Sequence, residues 1–220
     1  MDLDRIHDGL DSERCMICHF IEKDESDLLI NWASSGENIH KGLRIGESFC
    51  NPHFWRLSKV VTDVTVAALN GFLLEQFVSE LDNNEEQQTE AWFRNYRDRQ
   101  SGLTERVVCP VCGTLFERES EHIESVITYL EGKENMQAYE KSRGLCIPHF
   151  IKVFLSVRND VQRERLRAIQ KSHITILMHE LQEFIRKKFP PLRWERTGAE
   201  KLAYWRSLEK LVGRKGTKWR

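Results

Sequence analysis

The sequence lacks any run of about eighteen apolar residues, the length that a membrane-spanning helix needs. It also has no glycine-rich phosphate loop, no G-x-S-x-G and no H-E-x-x-H motif. Near Met1 acidic residues stand where a signal peptide would be apolar, so we expect no signal peptide and a cytoplasmic protein. These absences argue against membrane insertion and give no support to an enzyme of the common hydrolytic or nucleotide-dependent kinds.

Composition allows a packed core but leaves the charge unevenly distributed. The 220 residues are 40% hydrophobic, which fits one large domain or two of about 100 residues. The net charge is −6 over residues 1–50 and +9 over residues 186–220, although it is −1 overall. The basic C-terminal segment predicts either an acidic partner, such as nucleic acid or another protein, or contact with the acidic start of the same chain.

All six cysteines fall in two sets of the same form, a C-x-x-C followed after about thirty residues by C-x-P-H. Three thiolates and one imidazole are the ligands of a closed metal site. In chain order the first set is Cys15, Cys18, Cys50 and His53, and the second is Cys109, Cys112, Cys146 and His149.

Zinc is the expected metal, with two ions per chain, because it accepts four nitrogen and sulfur ligands in a tetrahedron. Four protein ligands leave no position for water, so the predicted role is structural. An iron–sulfur protein with [4Fe-4S] clusters, each held by three Cys and one His, is the alternative. That alternative would make electron transfer or sensing possible.

Other uses of the cysteines fit less well. Structural disulfides would require export from the cell. Cys15 to His19 forms the C-x-x-C-H pattern of c-type haem attachment, but Gly113 replaces the histidine in the second set. A redox dithiol would be expected in βαβ surroundings, which the pattern of apolar residues does not indicate.

Apolar residues recur at three- and four-residue spacing and no strand pattern is evident, so the predicted fold class is all-α. We expect two tandem metal-stapled helical units related by an internal repeat, plus a short C-terminal helix. Helices are predicted from Pro52 to Leu81 and from His149 to about Lys188, and the charged residues 158–167 allow a bend or a solvated turn in the second. The predicted division is 1–81 for the first unit, 82–108 for a polar linker with a short helix, 109–189 for the second unit, and 190–220 for the basic helix and tail.

The half-sites resemble those of a prokaryotic family of uncharacterised proteins with duplicated C-x-x-C and C-x-x-H half-sites. The match lies in the residues 109–112, 144–149 and 186–213. The first set departs from it, with Met16 in place of proline and Glu47 and Ser48 where a glycine would stand. The family has no established activity, so the resemblance implies the metal ligands and the domain plan and no function.

The predicted function is a non-enzymatic, zinc-stabilised adaptor that binds protein or nucleic acid through its basic C-terminal segment. Aromatic residues between Lys and Arg can stack on bases, and such binding would weaken steeply with salt. We expect Trp205, however, to pack on the core. An enzyme that uses an apolar pocket has no positive support in the sequence. The remaining histidines are predicted to be surface or core residues; they are His7, His40, His122, His173 and His179.

Overall fold

The computed structural model describes residues 3–12, 14–34, 49–81, 109–190 and 192–213. Over these residues the fold is all-α, as predicted, with nine α-helices, two short 3-10 helices and no strand. The α-helices are α1 (Leu3–Asp11), α2 (Met16–Ser34), α3 (Asn51–Leu57), α4 (Asp63–Leu81), α5 (Pro110–Tyr129), α6 (Lys133–Lys141), α7 (Ile147–Ser156), α8 (Asp160–Arg186) and α9 (Ala203–Val212). The 3-10 helices are Leu192–Trp194 and Ala199–Leu202.

Some predictions fall on other parts of the chain. The linker 82–108 with its short helix, and the tail residues 214–220, lie outside the described residues. Among the described helices, none combines the length and the apolar character that crossing a membrane requires.

The chain folds into two compact units that do not follow one another in sequence. The continuous unit is Lys23–Glu117, and the split unit combines Met1–Glu22 with Arg118–Arg220. This division differs from the predicted tandem units, because the N-terminal segment packs with helices from the C-terminal half. Within the split unit, for example, the Phe20 ring lies 5.3 Å from the ring of His122.

The core of the continuous unit combines residues from α2, α3, α4 and the start of α5. Leu29, Leu57 and Leu69 are each at most 4% exposed there. Phe49 packs among them, and the Trp32 ring meets it edge-on with centroids 5.2 Å apart. These contacts hold the segment that enters α3 against α2.

The core of the split unit is built around a fully buried Tyr139 on α6. Its hydroxyl accepts a hydrogen bond from the backbone N–H of Leu145, at 3.3 Å, just before α7. Leu166 on α8 and Val153 on α7 are also fully buried. Helix α9 packs on α7 and α8, so the basic C-terminal segment is part of this unit.

Both of the long predicted helices are interrupted in the structure. The first ends at Leu57, and α4 begins after Thr62, whose hydroxyl accepts a hydrogen bond from Thr65 N–H at 3.2 Å. The second is broken at residues 157–159, where the Asn159 side chain accepts from Gln162 N–H at 3.1 Å and starts α8. In each case a residue suited to capping a helix N-terminus restarts the helix.

Gly144, which precedes Leu145 and Cys146, adopts a left-handed backbone conformation with φ of 67°. A Cβ at this position would overlap with Nδ1 of His173. We therefore expect Gly144→Ala to lower the free energy of unfolding by about 1–3 kcal/mol, measured by chemical denaturation of the metal-loaded protein.

The matched control is Gly71→Ala within α4, where a Cβ would meet nothing within 4 Å. Because alanine favours a helix over glycine, this change should leave stability unchanged or raise it by about 0.5–1 kcal/mol. Equal effects of the two substitutions would contradict the role given to Gly144.

Candidate metal centres

The eight predicted ligand residues form two clusters, but the structure groups their half-sites crosswise. Each C-x-x-C meets the C-x-P-H of the other predicted set. In both clusters the four ligand atoms lie within 4.8 Å of one another. Site A, in the split unit, consists of Cys15, Cys18, Cys146 and His149. Site B, in the continuous unit, consists of Cys50, His53, Cys109 and Cys112.

The predicted residues are thus brought together, whereas the predicted pairing along the chain was wrong. Spacing in the sequence identifies the half-sites but carries no information about which of them meet. Cys112 and His149, for example, belong to the same predicted set. In the structure they belong to different sites and different units, so replacing one or the other affects different parts of the molecule.

All four half-sites lie at helix N-termini. Cys50 and Cys146 are the N-cap residues of α3 and α7, with nearly identical extended backbones (ψ of 162° and 160°), and a proline follows within the first turn of each helix. The C-x-x-C motifs form the first turns of α2 and α5, where Cys15 and Cys109 accept a backbone hydrogen bond from the residue four positions on. The positive end of each helix dipole therefore favours thiolate over thiol.

The distances within each site match one tetrahedral ion. A zinc ion with sulfur at about 2.3 Å and nitrogen at about 2.0 Å holds its ligand atoms about 3.5–3.8 Å apart. In site A the Cys18 and Cys146 sulfurs are 3.9 Å apart, and His149 Nδ1 lies 3.2–3.4 Å from the three sulfurs. In site B the Cys50 and Cys112 sulfurs are 3.6 Å apart, and His53 Nδ1 lies 3.2–3.4 Å from its three sulfurs.

Such crowding prevents all three thiols of a site from ionising without a cation. Contacts with the other two sulfurs, together with burial, raise the pKa of Cys18 far above its ordinary value. Burial opposes ionisation of Cys15, but hydrogen bonds with Cys146 and Cys18 lower its pKa. In site B the contact between Cys109 and Cys112 lowers the pKa of the first and raises that of the second. A bound metal ion would remove this conflict.

The neighbouring sulfurs raise the pKa of both ligand histidines. Burial lowers the pKa of His149, but the Cys15 thiolate and the hydrogen bonds with Cys146 and Cys15 raise it to about 11. For His53 burial is likewise outweighed by Cys109 and Cys50, and its pKa also rises to about 11. Each cluster therefore attracts positive charge, which a metal ion supplies.

Each ligand histidine also contacts a buried glutamate through its second ring nitrogen. His149 Nε2 lies 3.0 Å from Glu119 Oε1, and His53 Nε2 lies 3.0 Å from Glu25 Oε1. When Nδ1 binds a metal ion, Nε2 keeps its proton and donates a hydrogen bond to the carboxylate. Such a bond fixes the ring orientation and makes the ligand nitrogen more basic.

A basic residue on the same helix as the histidine forms an ion pair with each of these glutamates. Lys152 Nζ lies 2.7 Å from Glu119 Oε1, and Arg56 forms an ion pair with Glu25. Burial alone would raise the pKa of Glu119, but hydrogen bonds from His149 and Lys152 lower it. The carboxylate is therefore charged at neutral pH and accepts a hydrogen bond from the histidine N–H.

Sequence reasoning missed these four residues, although their spacing is regular. Glu25 and Glu119 each follow the second cysteine of a C-x-x-C by seven residues, and Arg56 and Lys152 each follow a ligand histidine by three. Seven residues span about two helical turns and three span about one. The repetition of these spacings in both half-sites is the sequence signal that marks the four residues.

The other cysteine interpretations have no support in the structure. All six cysteines are free of disulfides. His19, the histidine of the haem-like pattern, belongs to neither cluster of the described residues, and the same is true of His122, which is buried against Phe20.

The family model described as "Family of unknown function (DUF6062)" matches residues 5–215, nearly the whole chain. The chain belongs to this family. It matches no curated protein and no solved structure. Membership agrees with the predicted resemblance to a family of uncharacterised proteins, and it names no activity.

The crosswise grouping can be tested by metal stoichiometry in two double variants. Cys18→Ser with His149→Ala damages site A alone, so about one metal ion per chain should remain. Cys18→Ser with His53→Ala damages both sites, so both ions should be lost. Elemental analysis of the purified variants measures the difference. Pairing along the chain requires the opposite result, because Cys18 and His53 would then share a site.

We expect Glu119→Gln to weaken metal binding at site A by about 10- to 100-fold, because a neutral amide is a poorer acceptor for the His149 proton. Competition with a chromophoric chelator measures the affinity. Glu124→Gln is the matched control, since Glu124 is exposed on the same helix, α5. Equal affinities of these two variants would contradict the role of Glu119.

Proposed function

We propose that each site holds one zinc ion, two per chain, and that these ions serve a structural purpose. The observation that carries this proposal is the spacing of the ligand atoms, all within 4.8 Å in both sites. Ligands of a [4Fe-4S] cluster each bind a different iron atom, so they must stand farther apart than ligands that share one ion. The short distances therefore favour a single ion over a cluster.

The closed ligand sets support a structural rather than a catalytic ion. Three sulfurs and one nitrogen fill a tetrahedron, which leaves no position for a water or a substrate. Site A joins segments 128 or more residues apart, from Cys18 to Cys146. Zinc bound in such a site contributes on the order of 10 kcal/mol to folding.

We further infer that the two sites arose by an internal repeat. Both have the same half-sites, the same N-cap geometry at the C-x-P-H, and a glutamate and a cation at matching spacings. A reducing cytoplasm would keep the six thiols available for metal, so we infer a cytoplasmic location.

The partner in this proposal is a protein or a nucleic acid that binds the basic C-terminal segment. Trp194 is 79% exposed and Phe189 is 64% exposed, and both lie close in sequence to exposed Lys188. Trp205 is 54% exposed, so the prediction that it packs on the core was wrong. Not every positive charge of the segment is available to such a partner, because Arg186 and Lys187 pair with glutamates of the same unit.

Elemental analysis and absorption spectroscopy of anaerobically purified protein test the proposal. We expect about two zinc ions per chain and no visible absorption band, because zinc has a filled d shell. Several iron atoms with acid-labile sulfide and a visible band would overturn the zinc proposal and indicate a cluster protein. Removing zinc with a chelator should unfold the helices, which circular dichroism would show as a loss of helical signal.

A further inference from the structure

A cleft of about 260 Å³ lies in the split unit, beside site A. It is lined by the start of α2, the segment that leads into α7, and facing parts of α8 and α9. Three ligands of site A, Cys15, Cys18 and Cys146, form part of its wall. The fourth ligand, His149, is fully buried behind them.

The acidic side chains of the cleft are engaged with cations. Glu22 and Glu209 both pair with Arg14, at 3.0 and 3.5 Å. Glu180 pairs with Arg206 at 2.7 Å. Glu140, the remaining acidic residue of the wall, makes a longer pair with Arg165 outside the cleft.

Three cations of the cleft have no such carboxylate partner. Lys141 and Arg143 are exposed and make no ion pair with any described residue. The Lys210 ammonium donates to the backbone carbonyls of Arg143 and Leu145, at 2.7 and 2.9 Å, and interacts electrostatically with Cys15 and Cys146. Lys210 thus offsets the charge of the neighbouring thiolates, and the exposed side chains of Lys141 and Arg143 are the cations that an anion in the cleft can reach.

Helix α8 contributes two apolar side chains to the cleft, Ile176 and Leu177, beside the polar His173 and Glu180. The volume is slightly below the range of about 300–1,000 Å³ that is typical of sites for drug-sized ligands. The occupant should therefore be small, with one charged end and one apolar end.

We propose that this cleft binds a small organic anion, whose carboxylate or phosphate meets Lys141 and Arg143 and whose apolar body packs on Ile176 and Leu177. The proposal does not depend on which metal occupies site A, because it rests on the cations and the shape of the cleft. It assigns the split unit a ligand site in addition to its metal.

Calorimetric titration of the metal-loaded full chain with benzoate, phenyl phosphate and neutral benzyl alcohol tests the proposal. We expect at least one of the two anions to bind with a Kd of about 1 mM or below, and benzyl alcohol to bind far more weakly. The two anions distinguish a carboxylate from a phosphate preference. Absence of binding by both anions would overturn the proposal.

Arg143→Gln should weaken binding of the preferred anion about tenfold, because it removes a charge-assisted hydrogen bond. Lys133→Gln is the matched control, since it removes one exposed positive charge from α6 outside the cleft. Equal affinities of the two variants would show that the anion binds elsewhere and would overturn the assignment.

A measurement on the unmodified protein covers the case in which Arg143→Gln fails to fold. The bound anion should slow alkylation of Cys15, Cys18 and Cys146 by iodoacetamide, followed by peptide mass spectrometry. Alkylation of Cys50 and Cys112 in site B should be unchanged, because neither residue lines the cleft. Equal protection of both sites, or none, would contradict binding in the cleft.

Discussion

Repulsion among three closely spaced sulfurs, which cannot all ionise unless a cation binds them, is the constraint that both metal sites share. Each site places its sulfurs and one imidazole within the span of a single ion. Contacts with the neighbouring sulfurs, together with burial, raise the pKa of one thiol in each site well above its ordinary value. Helix N-termini and the Glu–cation pairs behind the histidines prepare the ligands, but they do not supply the missing positive charge.

The two sites share this chemistry and differ in their access to solvent. Site A is almost wholly buried and has a cleft along three of its ligands, whereas Cys50 and Cys112 of site B are half-buried. Behind each histidine, a carboxylate that bridges an imidazole and a cation turns the ring so that Nδ1 faces the sulfurs. The same arrangement thus supports a site whose cysteines line a cleft and a second site with two half-buried cysteines.

The fold class and the residues of the metal sites could be predicted from the sequence, because the spacing of apolar residues and the C-x-x-C and C-x-P-H patterns involve only residues close together in the chain. The pairing of half-sites could not, since it depends on how distant segments pack. Glu25 and Glu119 were missed because glutamate is common on helices, and only its repeated spacing distinguishes these two. The breaks before α4 and α8 were missed because apolar residues continue across them, although Thr62 and Asn159 are suitable caps.

Crosswise pairing nests one site inside the other along the chain, and this determines when each can form during synthesis. Ribosomes release the N-terminal part first. Site B has all of its ligands once residue 112 has emerged, whereas Cys15 and Cys18 must wait for His149. The nascent chain thus carries an unfilled pair of thiols through the synthesis of more than half of its length. Site B can therefore bind its metal before the last ligands of site A have been synthesised.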